Sequence, residues 1–124
     1  MKSLISFFEI PAIDFGRAVK FYESVLKLKL TAMDCETEKM AFFPEENGLC
    51  LGAISFAENF KPSGSQSGVL ISLNVDDMED SLRKVKENGG RIVREKTKIE
   101  AEGRGYFSLF IDSEGNQLGL YSDK

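Results

Sequence analysis

At 124 residues the chain has the length of one domain, enough to bury a core without metal or disulfide staples. Its composition, 42% hydrophobic and 29% charged, excludes a disordered tract, and a formal charge of −4 opposes binding to a phosphate backbone. There is no histidine, which excludes imidazole bases, Ser-His and Cys-His nucleophile pairs and every His-ligated metal site.

Cys35 and Cys50 form no CxxC motif, so a zinc cluster is not expected, and free thiols suit a reducing cytoplasm. The densest basic stretch, 84–98, is broken by Glu87 and Glu95, the pattern of a solvated helix end and loop rather than a nucleic-acid groove. No apolar stretch approaches the ~20 residues that span a bilayer, so no membrane partner is expected.

The run 4–10 is apolar and β-forming; Glu9 and Asp14 interrupt it before it reads as a signal peptide, leaving a first strand. Pro11 ends that strand and Asp14 is placed to cap a helix. Phe15, Ala18, Val19, Tyr22, Val25 and Leu26 then share one helical face, with Arg17, Lys20, Glu23 and Lys27 turned away. Strands are expected at 29–33, 39–43 and 49–56, with a turn at 44–48. The segment 61–68 has the composition of a linker. Beyond it the order repeats. A strand at 68–75 precedes a helix capped by Asp76 or Asp77, with Met78, Leu82 and Val85 as its apolar stripe. Asn88, Gly89 and Gly90 stop that helix, and strands follow at 91–94, 106–111 and 117–121.

The repeat extends to single residues. An offset of 63 lays Asp14 on Asp77 and Val19 on Leu82. An offset of 67 lays Gly48, Leu51, Gly52 and Ser55 on Gly115, Leu118, Gly119 and Ser122. The duplicated element order, together with these identities, indicates internal duplication. One domain, 1–124, therefore contains unit one (1–60), the linker (61–68) and unit two (69–124), in the α+β class.

Two segments carry a family resemblance. The segment 14–22, DFGRAVKFY, is similar to a D-x-x-R-A/S-x-x-F-Y helix opening. The segment 105–116, GYFSLFIDSEGN, is similar to an F-x-D-P-(D/E)-G-N closing turn, with Ser113 in place of proline. In this order, on duplicated βαβββ units, they resemble the vicinal oxygen chelate superfamily, which includes glyoxalases, extradiol dioxygenases and the fosfomycin and bleomycin resistance proteins. The resemblance covers essentially the whole chain. It implies two tandem βαβββ units forming a curved mixed sheet around a cup, with the helices packed outside. Metal-dependent members take one ligand from the first strand and one from the last strand of each unit. Carried over, those positions fall on Phe7, Gly52, Leu70 and Gly119, none of which coordinates a cation. Their neighbours Ser6, Phe8, Leu51, Ala53, Val69, Ile71, Leu118 and Leu120 do no better. Neither a metal nor another cofactor is expected.

Strand alternation extends the site. If Phe7 faces the cup, so does Glu9, as do Ser72 beside Leu70 and Cys50, Ile54, Gln117 and Tyr121 beside the glycines. Glu9, a carboxylate among Phe and Ile and so expected to be partly desolvated, suits a general base or the binding of a cation or amide. The plainer reading pairs it with an arginine or a loop. Gly52 and Gly119 either keep open the space that ligands vacated or reflect drift to a small residue. Cys50, without a histidine, packs as a small apolar residue. Tyr106 and Tyr121 are hydrogen-bond donors to a ligand or packed in the core. Arg104, between two glycines, reaches over the mouth toward an anion or is simply solvated. These features point to a metal-free cytoplasmic homodimer that holds a small apolar or aromatic molecule. The alternatives are a glyoxalase-like lyase or isomerase, using Glu9 as base or an unrecognised metal site, and an assembly module whose role is its interface.

Overall fold

A computed structural model describes residues 4–34, 37–64, 68–100 and 105–124. The first unit consists of β1 (Phe8–Pro11), α1 (Phe15–Leu26), β2 (Thr31–Asp34), β3 (Glu38–Phe42) and β4 (Gly52–Ala57). The second repeats the order with β5 (Ser72–Asn74), α2 (Met78–Glu87), β6 (Arg91–Lys98), β7 (Tyr106–Ile111) and β8 (Gln117–Ser122).

Local chemistry sets the boundaries. The Asp14 carboxylate accepts from the Arg17 amide at 3.1 Å, and Asp77 does the same for Asp80 at 3.1 Å, so each helix starts at its expected cap. Helix α1 ends at Lys27 in the left-handed region (φ 56°), and α2 ends at Asn88, followed by Gly89 at φ 92°. Asn47 and Gly48, at φ 54° and 81°, make the tight turn between Glu46 and Leu49, which exchange backbone bonds of 2.7 and 3.0 Å. Pro11 is the last residue of β1, the strand end expected from the sequence. The amides of Phe8 and Ala12 bond toward β4, so position 11 turns its nitrogen off the sheet edge and proline costs the ladder nothing.

Each unit builds its own mixed four-stranded sheet, ordered β1-β4-β3-β2 in one and β5-β8-β7-β6 in the other. β1 runs parallel to β4 and β5 parallel to β8; the remaining pairs are antiparallel. The strand expected at 68–75 contracts to Ser72–Asn74. The one expected at 91–94 extends to Lys98, through register shifts between Ile92 and Arg94 and between Arg94 and Thr97. Both helices feed one core. Phe21, Tyr22 and Val25 of α1 and Met78, Leu82 and Val85 of α2 meet Ile10, Ala41, Ile54, Phe110, Leu118 and Leu120 from the sheets. Burial of each large side chain here is worth ~1.5–3 kcal/mol.

The two units are joined by the Lys27–Asp80 ion pair at 2.7 Å, by the Asn88 side-chain amide donating to the Ser24 hydroxyl at 2.9 Å, and by a larger polar clasp. Glu114, 4% exposed, accepts from the amides of Ile13 and Asp14 at 2.7 Å each and from the Arg17 guanidinium at 2.7 and 3.1 Å. Beside it, buried Asp112 accepts from the Tyr22 hydroxyl at 2.6 Å and from the amides of Glu114 and Asn116. Asn116 also donates its side-chain amide to the Pro11 carbonyl at 2.8 Å. Glu114 thus brings an anion to the unbonded amides at the start of α1, where the helix dipole favours it. Burial pushes the Glu114 carboxyl up. The Arg17 hydrogen bond, helped by the Asp14 amide, the Ser113 hydroxyl and the Ile13 amide, outweighs that and holds it at about 2. The two segments that carry the family resemblance are therefore the two halves of one interaction. It occurs once: the offset of 63 puts Asp80 where Arg17 would be and Val85 where Tyr22 would be.

Candidate ligand-binding face

Paired residues in a ladder point to the same side of the sheet. Ile10, Ala41 and Ile54 lie in the helix-side core, so the open face of unit one carries the alternate positions: Glu9, Ala53 and Ser55, with Met40 and Phe42 paired to them. Phe7 joins this face, its ring centroid 6.2 Å from that of Phe42. Met33 pairs with Met40 and is 53% exposed. Glu9 is exposed rather than desolvated, and its Oε1 accepts from the Ser55 hydroxyl at 2.6 Å. No salt bridge to Glu9 occurs among the described residues.

The expected set divides here. Gly52 and Ile54 do not share the face of Glu9. Ile54 is fully buried beneath the helices, and Gly52 pairs with Phe8, whose Cδ2 lies 2.7 Å from where a Cβ would stand. The space at Gly52 is filled by that ring, so it is no vacancy. The reason is a one-residue slip. Glu9 pairs with Ala53 while Ser72, its counterpart, pairs with Gly119, so β4 and β8 correspond at an offset of 66 rather than 67. The longer approach from Gly48 into β4 absorbs the extra residue, and its shared turn chemistry misled the alignment. Cys50 precedes β4, and its thiol donates to the carbonyls of Phe43 and Gly52 at 3.2 and 3.4 Å.

In unit two the open face holds Ser72, Asn74, Gly119 and Tyr121, with Phe107 and Leu109 paired beside them. Leu70, 47% exposed, and Gln117 continue it. A Cβ at Gly119 would lie 2.7 Å from the Ser72 hydroxyl and 3.3 Å from the Ser108 carbonyl, so Ser72 fills the space the glycine leaves. The Gln117 Oε1 is buried with no hydrogen-bond partner among the described residues, an acceptor open to a donor. The Tyr121 hydroxyl is engaged: it accepts from the Gly105 amide at 3.3 Å and donates to Asp123 at 3.1 Å. Tyr106 pairs with Ser122, on the helix side, and packs against the core. Arg104 lies outside the described residues. On the open face of β6, Arg94 sits over the Phe107 ring at 5.2 Å.

With the offset corrected, the positions that the family resemblance assigns to metal ligands move from Gly52 to Ala53 and otherwise stay at Phe7, Leu70 and Gly119. The donor set does not fit a metal. Among the described residues no group of three or more His, Cys, Asp or Glu is placed to hold one. Sequence reasoning missed Met33, Met40, Phe42, Ser55, Phe107, Leu109 and Arg94. Alternation counted along β3 from Ala41 would have found Met40 and Phe42.

Residues 4–120 match the model of the Glyoxalase/Bleomycin resistance protein/Dioxygenase superfamily, and the chain belongs to that family. A glyoxylase-like domain-containing protein of Didymella fabae is 31% identical over 122 residues, covering 90% of this chain and 88% of its own. The lactoylglutathione lyase of Haemophilus influenzae is 25% identical, covering 86% and 90%. Glyoxalase I of Zea mays superposes with a TM-score of 0.72 at 20% identity, covering 93% of this chain but only 44% of the maize chain. The likeness to maize glyoxalase I is one of fold, and this chain spans less than half of that protein's length.

Proposed function

We propose that this chain is a metal-independent binding protein that holds a small apolar or aromatic molecule on its open sheet faces. The observation that carries the reading is the residue set Phe7, Ala53, Leu70 and Gly119, which turns a metal-binding surface into an apolar one. The aromatic pair Phe7–Phe42, the exposed Met33 and the partnerless Gln117 oxygen supply what a small-molecule site needs: apolar area with a few polar anchors. The protein acts as a homodimer. Strands β1 and β5 are both sheet edges, and the exposed Ile5 and Val69 lie just before them, surface that a second copy would cover. The cytoplasm suits the free Cys50 thiol, and no described helix is long and apolar enough to cross a membrane.

A second reading is favoured by Glu9, an open-face carboxylate with no ion-pair partner among the described residues: a lyase or isomerase step in which Glu9 takes a proton α to a carbonyl. Native mass spectrometry of freshly purified protein tests the first reading. It predicts a dimer that retains a small organic molecule and carries no metal. A stoichiometric transition metal would overturn the metal-independent function.

A further inference from the structure

The open face of unit one carries a charge pattern that its family membership does not imply. By strand register Glu38 and Glu9 are the charged residues on this face among the described residues, since Lys39 pairs with Phe56 and belongs to the helix side. Its acidic end and its centre therefore lie on an otherwise apolar surface. Glu9 is held in a particular way. Ser55 is 1% exposed, and its hydroxyl donates its one proton to Glu9 Oε1 at 2.6 Å. A donor that short fixes the orientation of an ionised carboxylate. The other oxygen, Oε2, has no hydrogen-bond partner among the described residues. Phe7 lies two positions away on the same strand face, its ring 6.2 Å from that of Phe42, and Met40 pairs directly with Ser55.

A carboxylate anchored beneath by a buried hydroxyl, with one oxygen free of described partners and a paired set of aromatic rings on the same sheet face, has the features that recognise an organic cation. The free oxygen supplies a charge-assisted acceptor, and the ring faces attract a positive charge through their quadrupoles. Among the described residues an anion meets two carboxylates and no compensating base on this face. We propose that unit one's open face binds a small organic cation with an apolar or aromatic body, its ammonium or amidinium on Glu9, and that Ser55 is the positioning residue for that contact. This rests on the reading of the chain as a small-molecule binder and names the class of molecule.

The test uses three probes of one carbon frame: phenethylammonium, 2-phenylethanol and phenylacetate. Each is titrated into the full-length protein while the methionine methyl resonances of Met33 and Met40 are followed. The cation should bind about tenfold or more tightly than the alcohol, the scale of a charged hydrogen bond, with phenylacetate weaker than both. Glu9→Gln should bring the cation down to the affinity of the alcohol and leave the alcohol unchanged. Ser55→Ala should weaken the cation severalfold, again without moving the alcohol; an equal loss for both probes would make Ser55 structural and overturn its positioning role. Equal binding of all three probes to the wild-type protein, or a preference for phenylacetate, would overturn the cation assignment and leave the small-molecule reading standing. If none of the probes shifts Met33 or Met40, both fall. Should Glu9→Gln instead lower the solution mass without changing probe binding, the carboxylate belongs to a subunit contact and the proposal is wrong.

Discussion

Replacing Glu114 with glutamine tests whether the clasp between the units is an electrostatic device or merely a packed turn. The wild-type carboxyl is held at about 2 against an ordinary 4.5. At ~1.4 kcal/mol per pKa unit, that shift corresponds to roughly 3 kcal/mol of stabilisation as an upper bound. The Arg17 side chain is 49% exposed, so solvent screening brings the realistic value nearer 1–2 kcal/mol. Glutamine keeps the shape, yet it turns an N–H2 toward either Arg17 or the amides of Ile13 and Asp14, which adds a little more. The expected loss at pH 7 is ~2 kcal/mol, or roughly 8 °C in Tm. The folded-state pKa lies below the unfolded one, so the stabilisation is complete above pH ~4.5 and disappears as pH falls toward 2. Urea unfolding followed by circular dichroism should therefore show a gap between wild type and Glu114→Gln that is constant from pH 7 to 5 and narrows steadily below. A gap of the same size at pH 7 and pH 3, or one under ~0.5 kcal/mol at pH 7, would refute the electrostatic account.

Other changes report on separate links. Tyr22→Phe removes the buried hydroxyl from Asp112 and should cost ~1–3 kcal/mol in the same unfolding assay, with the Arg17 contact intact. Gly90→Ala would set a Cβ 2.5 Å from the Ile111 carbonyl and 2.8 Å from the Phe21 ring, so its Tm should drop by several degrees although the site faces the opposite side of the sheet. Gly52→Leu should destabilise the fold through Phe8 and leave the affinity of any retained ligand unchanged in the molecules that fold. Treatment with a chelator should leave the unfolding curve of the purified protein where it was; a fall in Tm would mean that a metal supports the fold.

The sequence was most informative where chemistry is local. The caps at Asp14 and Asp77 and the stop at Asn88-Gly89 lie where the side chains demanded, because each depends only on residues a turn away. The order of elements was legible for the same reason. Facing was not. Whether Gly52 or Ala53 lies beside Glu9 depends on one residue in the approach to β4, and a shift of one inverts every side chain on the strand. Short apolar strands such as Gly52–Ala57, buried on both sides over most of their length, give no alternation with which to correct the error. Ser55 was overlooked because nothing in its neighbours marks it; its partner Glu9 is 46 residues away in the chain. Glu114 was visible as part of a motif, but its role was not, since its partners lie 97 to 101 residues back.

That separation has a consequence for how the protein is made. Helix α1 is synthesised before the anion that satisfies its first amides, which arrives only with the turn after β7, 100 and 101 residues beyond those amides. Until then the start of the helix is solvated and Tyr22 has no acceptor at Asp112, so unit one emerges with one end of its helix unfinished. A nascent chain of this kind commits late. Contacts between partners 97 to 101 residues apart impose a loop-closure cost on the step that joins the units. Chains broken off before Asp112 lack the closing residues altogether, and the cell's proteases then meet a half-assembled core in place of a smaller stable domain.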